Sequence, residues 1–299
     1  MADTLWHLGP CLASLALHTS PNFLSYKNRL YTMQSQKLEI VYKDHPLQID
    51  YFNRRGRKDA VVYLHGLGCS KNDFFEAVSR AELQAYTLIA FDFPGCGNSP
   101  YPDDLHLEMD DLVEITQRVV SALPVDDFVI IGHSMGGLVA LLYAEKYGDH
   151  MKGFINVEGN LAPEDCFFSR EVAQHSFTHF TTTAFKEIKH RLAHSPNKGF
   201  QKYADILTKS ASERAFFDCC PSLVDYSEHG NLIQRFIALK IPTMFVYGSE
   251  NRSLSYLTTL KDSGCELVEI PQSNHFPGYD NPQAFYQTIA AFLQKNFPR

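Results

Sequence analysis

The sequence predicts an α/β fold: a mostly parallel central sheet flanked by helices, with a helical segment inserted between two late strands. Continuous apolar runs at 60–64 (AVVYL), 87–91 (TLIAF), 128–131 (FVII), 153–157 (GFINV) and 244–247 (MFVY) have the length and composition of strands buried on both faces. Stretches with helical spacing lie between most of them, which is the pattern of parallel strands joined by helical crossovers. One long segment, 161–239, carries no such apolar run and is rich in His, Phe and helix-compatible residues.

Taken in order, 38–42 and 47–52 alternate apolar with polar residues and predict an antiparallel hairpin at a sheet edge. The basic stretch Arg54-Arg55-Gly56-Arg57-Lys58 follows and reads as a solvated turn. Apolar residues at 109, 112, 113, 115, 119, 120 and 123 predict a helix over 107–123. A second helix is expected over 138–147, and a third, over 284–297, after a last strand at 267–270. The domain plan is an N-terminal extension (1–37), a core (38–160 and 240–299) and a helical lid (161–239).

The chain has 299 residues, 44% of them hydrophobic, enough for one large domain carrying an insertion. A net charge of -7 argues against nucleic acid and anionic membrane surfaces as partners. No apolar run approaches the length of a membrane span. The first residues, MADTLWHLGPCLASLALHTS, lack a basic start, carry Asp3 and are interrupted by His7 and Pro10, which argues against a signal peptide. The seven cysteines form no CxxC pair, and Cys219 and Cys220 are adjacent; free thiols in a reducing, cytoplasmic setting are the expectation. No cluster of His, Cys and Asp has metal-ligand spacing.

The strongest chemical signal is FVIIGHSMGG, 128–137. It places Ser134 in a G-x-S-x-G turn directly after a buried strand and before a helix. Such a turn strains the serine backbone and lifts its hydroxyl clear of the sheet's C-terminal edge, while the helix N-terminus adds a partial positive charge. Serine attack on a carbonyl creates an oxyanion that needs preorganised donors. The backbone N–H of Met135 and that of Leu67, in LHGLG at the end of an earlier strand, are the expected pair. The segment through Lys71 lacks the spacing of a P-loop.

LHGLG, FDFPGCGNS (91–99), GHSMGG and SNHFPGYDNP (273–282), in this order, resemble the lidded α/β-hydrolases, a group holding many esterases, epoxide hydrolases and haloalkane dehalogenases. The resemblance runs from about position 38 onward and implies the α/β-hydrolase fold. It also implies a base after the last strand, where His275 stands, leaving His65 and His133 as packing or hydrogen-bonding residues. The acid that orients the base is expected just after the strand 244–247, but that position is Asn251, which supplies no charge. Two carboxylates could take its place. Glu158 ends the strand GFINV, where certain haloalkane dehalogenases place a Glu, and is the preferred reading; Glu250, one residue before Asn251, is the alternative.

A serine at the elbow departs from the dehalogenases and epoxide hydrolases, which use Asp there. The expectation is therefore a serine hydrolase cleaving a carboxylic ester of a small apolar or acyl substrate through Ser134, His275 and Glu158. Thioesters, lactones and activated C–C bonds run on the same machinery, and cyanohydrin cleavage is a further reaction of the fold. A non-catalytic ligand-binding relative is the reading from another class. No metal or organic cofactor is required. The lid phenylalanines 167, 168, 177, 180, 185, 216 and 217 suit an apolar substrate and, equally, a lid with its own core.

Overall fold

The computed structural model describes residues 35–298. The reading against a signal peptide, and the extension drawn at 1–37 up to position 34, fall outside the described residues; Gln36 and Lys37 already belong to the first strand. The strands are β1 (Gln36–Tyr42), β2 (His45–Arg54), β3 (Lys58–Leu64), β4 (Tyr86–Phe91), β5 (Phe128–His133), β6 (Met151–Val157), β7 (Thr243–Gly248) and β8 (Glu266–Ile270). They form one eight-stranded sheet in the order β1-β2-β4-β3-β5-β6-β7-β8. β1 pairs antiparallel with β2, and β2 with β4; every later pairing is parallel. Lys43 and Asp44 close the edge hairpin with both φ values positive (48° and 61°), the backbone of a tight two-residue turn whose twist matches the strands.

The middle strands are buried on both faces, as their unbroken apolar runs predict: Val61, Val62, Tyr63 and Leu64 are fully inaccessible, and all of β5 is buried. Helices α1 (Met109–Ala122) and α2 (Met135–Tyr147) supply crossovers to the parallel strands. Asp111 reaches back to the Glu108 N–H at the start of α1 and also accepts from the Tyr42 hydroxyl, fastening that helix to the edge hairpin.

Between β6 and β7 the described chain is helical: α3 (Ser169–Ala173), α4 (Phe185–Ala193), α5 (Lys198–Ser210), α6 (Glu213–His229) and α7 (Leu232–Ala238). Its phenylalanines divide by role. Phe180, Phe185 and Phe216 are fully buried, with the rings of Phe180 and Phe216 stacked 5.8 Å apart, and make a core for the insertion itself. Phe167 and Phe168 face the space above the sheet. After β7 come α8 (Leu257–Asp262), the turn α9 (Pro277–Asp280) and α10 (Pro282–Asn296), whose first turn is capped by Asn281. Among the described residues no helix is long and apolar enough to cross a membrane, and the described cysteines are free.

One local feature differs from the sequence reading, and a second lies beyond it. Arg54 is not part of a solvated turn: it ends β2, and its guanidinium donates to the carbonyls of Leu83, Gln84 and Tyr86. Gly56 is required there because a Cβ would come within 2.3 Å of the Tyr86 carbonyl oxygen. Lys71, which follows LHGLG, is buried, and its ammonium lies 2.6 Å from Asp50 and 2.7 Å from Asp92. Asp92 also accepts from the backbone N–H groups of Lys71 and Asn98. This cluster ties β2, the end of β4 and the LHGLG loop together.

Removing the cation alone would leave two carboxylates buried without their counter-charge. Lys71→Met is therefore expected to cost roughly 3–5 kcal/mol of stability, read by urea denaturation. A variant as stable as the wild type would refute this account of the cluster.

Candidate active site

Ser134 sits between β5 and α2 with φ 53° and ψ -124°, outside the ordinary regions for a residue bearing a Cβ. The turn is held by the Ser134 N–H to the Val157 carbonyl (3.0 Å) and the Gly137 N–H to the Ser134 carbonyl (2.8 Å). Its glycines are dictated by contact. A Cβ on Gly132 would lie 2.4 Å from the Gly136 carbonyl oxygen, and one on Gly136 would lie 2.3 Å from that of Leu64. The elbow and the LHGLG segment thus touch backbone to backbone.

Leu67 lines the same cavity as Ser134, and Met135 is the buried first residue of α2, directly after the serine. Neither N–H donates to a backbone carbonyl among the described residues outside regular elements. The Gly66 carbonyl, in the same peptide unit as the Leu67 N–H, accepts from the Cys69 N–H (3.1 Å) and from His65 Nδ1 (2.8 Å). His65 Nε2 accepts from the Phe93 N–H (3.0 Å), and this partner assigns the proton to Nδ1. Burial lowers the His65 pKa and keeps the ring neutral, as its acceptor role requires. His65 therefore acts as a strut from the end of β4 to the LHGLG loop.

Glu158 follows β6 at φ 48°, a second strained position beside the elbow. Asn156 shapes this turn by accepting from the Gly159 N–H (2.8 Å). The Glu158 carboxylate is buried. Its Oε1 accepts from the Gly248 N–H (2.6 Å) and from Asn251 Nδ2 (2.9 Å), and its Oε2 lies 3.6 Å from His275 Nδ1. Donors of this kind offset the cost of taking a carboxylate out of water. Glu250 points elsewhere: it is exposed and accepts from Asn274 Nδ2. Asn251 is thus a donor to the carboxylate that ends the neighbouring strand. The sequence reading gave Asn251 no such role, because the link joins residues 93 positions apart.

His275 is buried, and its backbone N–H donates to Asn274 Oδ1 (2.7 Å). His133 Nε2 donates to the His275 carbonyl (2.8 Å). Burial, and then the neighbouring His275, push the His133 pKa down to about 3, so His133 is a neutral brace. The ring of Phe167 meets that of His275 edge to face at 4.9 Å, although Phe167 itself is 44% exposed. Leu67, Ser134, His275, Phe167, Phe168 and Tyr203 line one cavity of about 30 Å³. Asp165 lines it too; burial raises its carboxyl to about 6.

The family model described as "alpha/beta hydrolase fold" matches residues 59–183. The chain is 30% identical over 261 residues to the "Putative esterase/lipase 2" of Mycoplasma genitalium, covering 81% of this chain and 91% of that one. This protein belongs to the α/β-hydrolase family. It is also 26% identical over 271 residues to the sn-1-specific diacylglycerol lipase ABHD11 of Danio rerio (83% and 82% covered). Among solved structures, the malate-bound thermophilic esterase of Thermogutta terrifontis shares the fold with a TM-score of 0.71 at 20% identity, over 87% of this α/β hydrolase and 98% of that chain.

The depressed His133 pKa has a consequence for stability. Unfolded His titrates near 6.5 and folded His133 near 3, so between these values the unfolded chain binds the extra proton and acid favours unfolding. His133→Gln removes this term. The stability advantage of the wild type over the variant is expected to shrink as pH falls from 7 to 4, measured by urea denaturation at each pH. An advantage that grows on acidification would contradict a neutral His133.

Proposed function

We propose that this α/β hydrolase is a serine esterase that works through Ser134, His275 and Glu158. The observation that carries the reading is the approach of the Glu158 carboxylate to His275 Nδ1 (3.6 Å), with Ser134 and His275 lining one cavity. The separation exceeds a formed hydrogen bond; catalytic hydrogen bonds are often long in ligand-free enzymes and tighten in the substrate complex. The esterase and lipase names carried by relatives support the substrate class.

In this mechanism His275 takes the Ser134 hydroxyl proton as the oxygen bonds to the ester carbonyl carbon. The carbonyl π electrons move to oxygen, which is held by the N–H groups of Leu67 and Met135. Glu158 holds the ring in the tautomer that leaves Nε2 free to accept, and stabilises the imidazolium. The C–O bond to the alcohol then breaks, and His275 returns its proton to the departing oxygen. A water molecule, deprotonated by His275, attacks the acyl-serine; collapse releases the acid and restores Ser134. Asn251 acts indirectly: by donating to Oε1 it leaves Oε2 for the base.

The test is kcat/KM on a p-nitrophenyl ester series. Ser134→Ala abolishes acylation, and Glu158→Gln lowers the rate by about 10⁴, as replacing the triad Asp by Asn does in a serine protease. Glu250→Gln stays near the wild type. Asn251→Asp restores an acid after β7 but sets a second carboxylate against Glu158, and two such charges do not both ionise readily at close range. It is expected to lose activity. If Glu250→Gln is the inactive variant, the acid has been assigned wrongly.

The segment 161–239 is proposed to be a lid, and the arrangement in this structure its closed form. A cavity of about 30 Å³ holds a water or two, at ~10–15 Å³ of such volume each, but no ester. Phe167 also borders two wider clefts of about 600 and 260 Å³. Phe167→Ala is expected to raise kcat/KM for octanoyl relative to acetyl esters about tenfold, a gain of roughly 1.4 kcal/mol in discrimination. An unchanged ratio would remove Phe167 as the gate.

A further inference from the structure

We propose that Tyr203, on helix α5 of the insertion, is a positioning residue for the oxyanion donor at Leu67. The inference rests on the serine-esterase reading above. The Tyr203 hydroxyl donates to the Leu67 carbonyl at 2.7 Å, and both groups are buried. Leu67 thus lies between two anchored peptide units. The preceding unit, which carries the Leu67 N–H, is held through the Gly66 carbonyl by His65 and Cys69. The following unit is held by Tyr203. Next comes Gly68 at φ 65°, a residue free to rotate if that second anchor is lost.

A second, independent contact shows the insertion built onto this loop. A Cβ on Gly68 would lie 2.4 Å from the Leu207 side chain on α5 and 2.8 Å from Phe216 on α6. The Tyr203 ring is itself fixed against Phe276, the residue after the proposed base, with centroids 5.1 Å apart. Burial raises the Tyr203 pKa far above its ordinary value, so the hydroxyl keeps the proton it donates. Losing an oxyanion donor outright costs roughly 10²–10³ in rate. Loosening one that remains present costs less, and it leaves ground-state binding of the ester nearly untouched, because the donor is stronger toward the oxyanion than toward the carbonyl.

The experiment compares wild type with Tyr203→Phe in four readings: labelling of Ser134 by a fluorophosphonate, kcat and KM on p-nitrophenyl acetate, Ki for an alkyl trifluoromethyl ketone, and thermal midpoint. The ketone adds Ser134 and becomes a hemiketal oxyanion. Tyr203→Phe is expected to lower kcat about 10–100-fold with KM within about threefold, and to raise the ketone Ki by the factor lost from kcat/KM. Tyr203→4-aminophenylalanine, which keeps a donor on the same ring position, returns kcat to within about fivefold of wild type. An unchanged kcat, or a fall in kcat with the ketone Ki unmoved, overturns the inference while labelling of wild-type Ser134 keeps the esterase reading standing. If Tyr203→Phe does not fold, the 4-aminophenylalanine variant decides: wild-type kcat and Ki support the donor role, and a folded but impaired variant overturns it. If wild-type Ser134 itself resists the fluorophosphonate, the esterase reading fails and this inference falls with it.

Discussion

Everything at this site depends on how closely two backbones approach. The elbow after β5 and the loop after β3 meet with no room for a Cβ, Gly136 against the carbonyls of Leu64 and His65. Adjacent parallel strands bring these two turns to the same sheet edge, and glycine allows them to touch. The strain at Ser134 persists because its neighbours leave no alternative: the strand beneath, the helix in front and the loop beside it are each fixed by hydrogen bonds. The loop, in turn, is braced from behind by His65 and by the buried Lys71 with its two carboxylates.

The placement of the proposed acid, Glu158, follows from the same economy of space. β6 lies between β5 and β7, so a side chain at its C-terminal end stands beside the end of β7. A Glu there is one methylene longer than an Asp, and the positive φ at 158 turns it across the sheet edge. The residue after β7 then changes its task. With a carboxylate already arriving from β6, a second one would add like charge in a buried space, whereas Asn251 adds a donor. In the proposed triad Asn251 and Glu158 form one exchange, with the negative charge one strand over and its hydrogen-bond donor at the position after β7.

The sheet was largely legible in the sequence because buried parallel strands write themselves as unbroken apolar runs, and every run at 60–64, 87–91, 128–131, 153–157, 244–247 and 267–270 falls within a strand. The elbow was legible because its glycines and its position between strand and helix are local. What escaped is non-local. Arg54 and Lys71 look like solvent charges in sequence and are anchored by groups far along the chain. His65 is visible within LHGLG, but its strut to Phe93 is not. Tyr203 carries no motif, and its partner Leu67 is 136 positions away. The phenylalanines of 161–239 were ambiguous for the same reason: composition cannot separate Phe180 and Phe216, which stack on each other, from Phe167, which stands against His275.

The insertion touches the two ends of the proposed machinery in physically different ways, and this bears on how a closed cavity admits an ester. Tyr203 is buried, hydrogen-bonded and backed by helices packed on Gly68, so α5 cannot lift without releasing the Leu67 carbonyl into an apolar space. Phe167 is 44% exposed and is held by edge contacts between rings, to Phe168 (4.6 Å), His275 (4.9 Å) and Phe200 (6.4 Å), a looser attachment than the buried hydrogen bond of Tyr203. The cheaper motion is therefore local. In the proposed mechanism the segment around Phe167 would swing toward the open clefts while α5 stays docked and the LHGLG loop keeps its geometry. Access would then rest on the Phe167 segment and the bracing of the LHGLG loop on α5, so the cavity could open to an ester without disturbing the proposed donor arrangement.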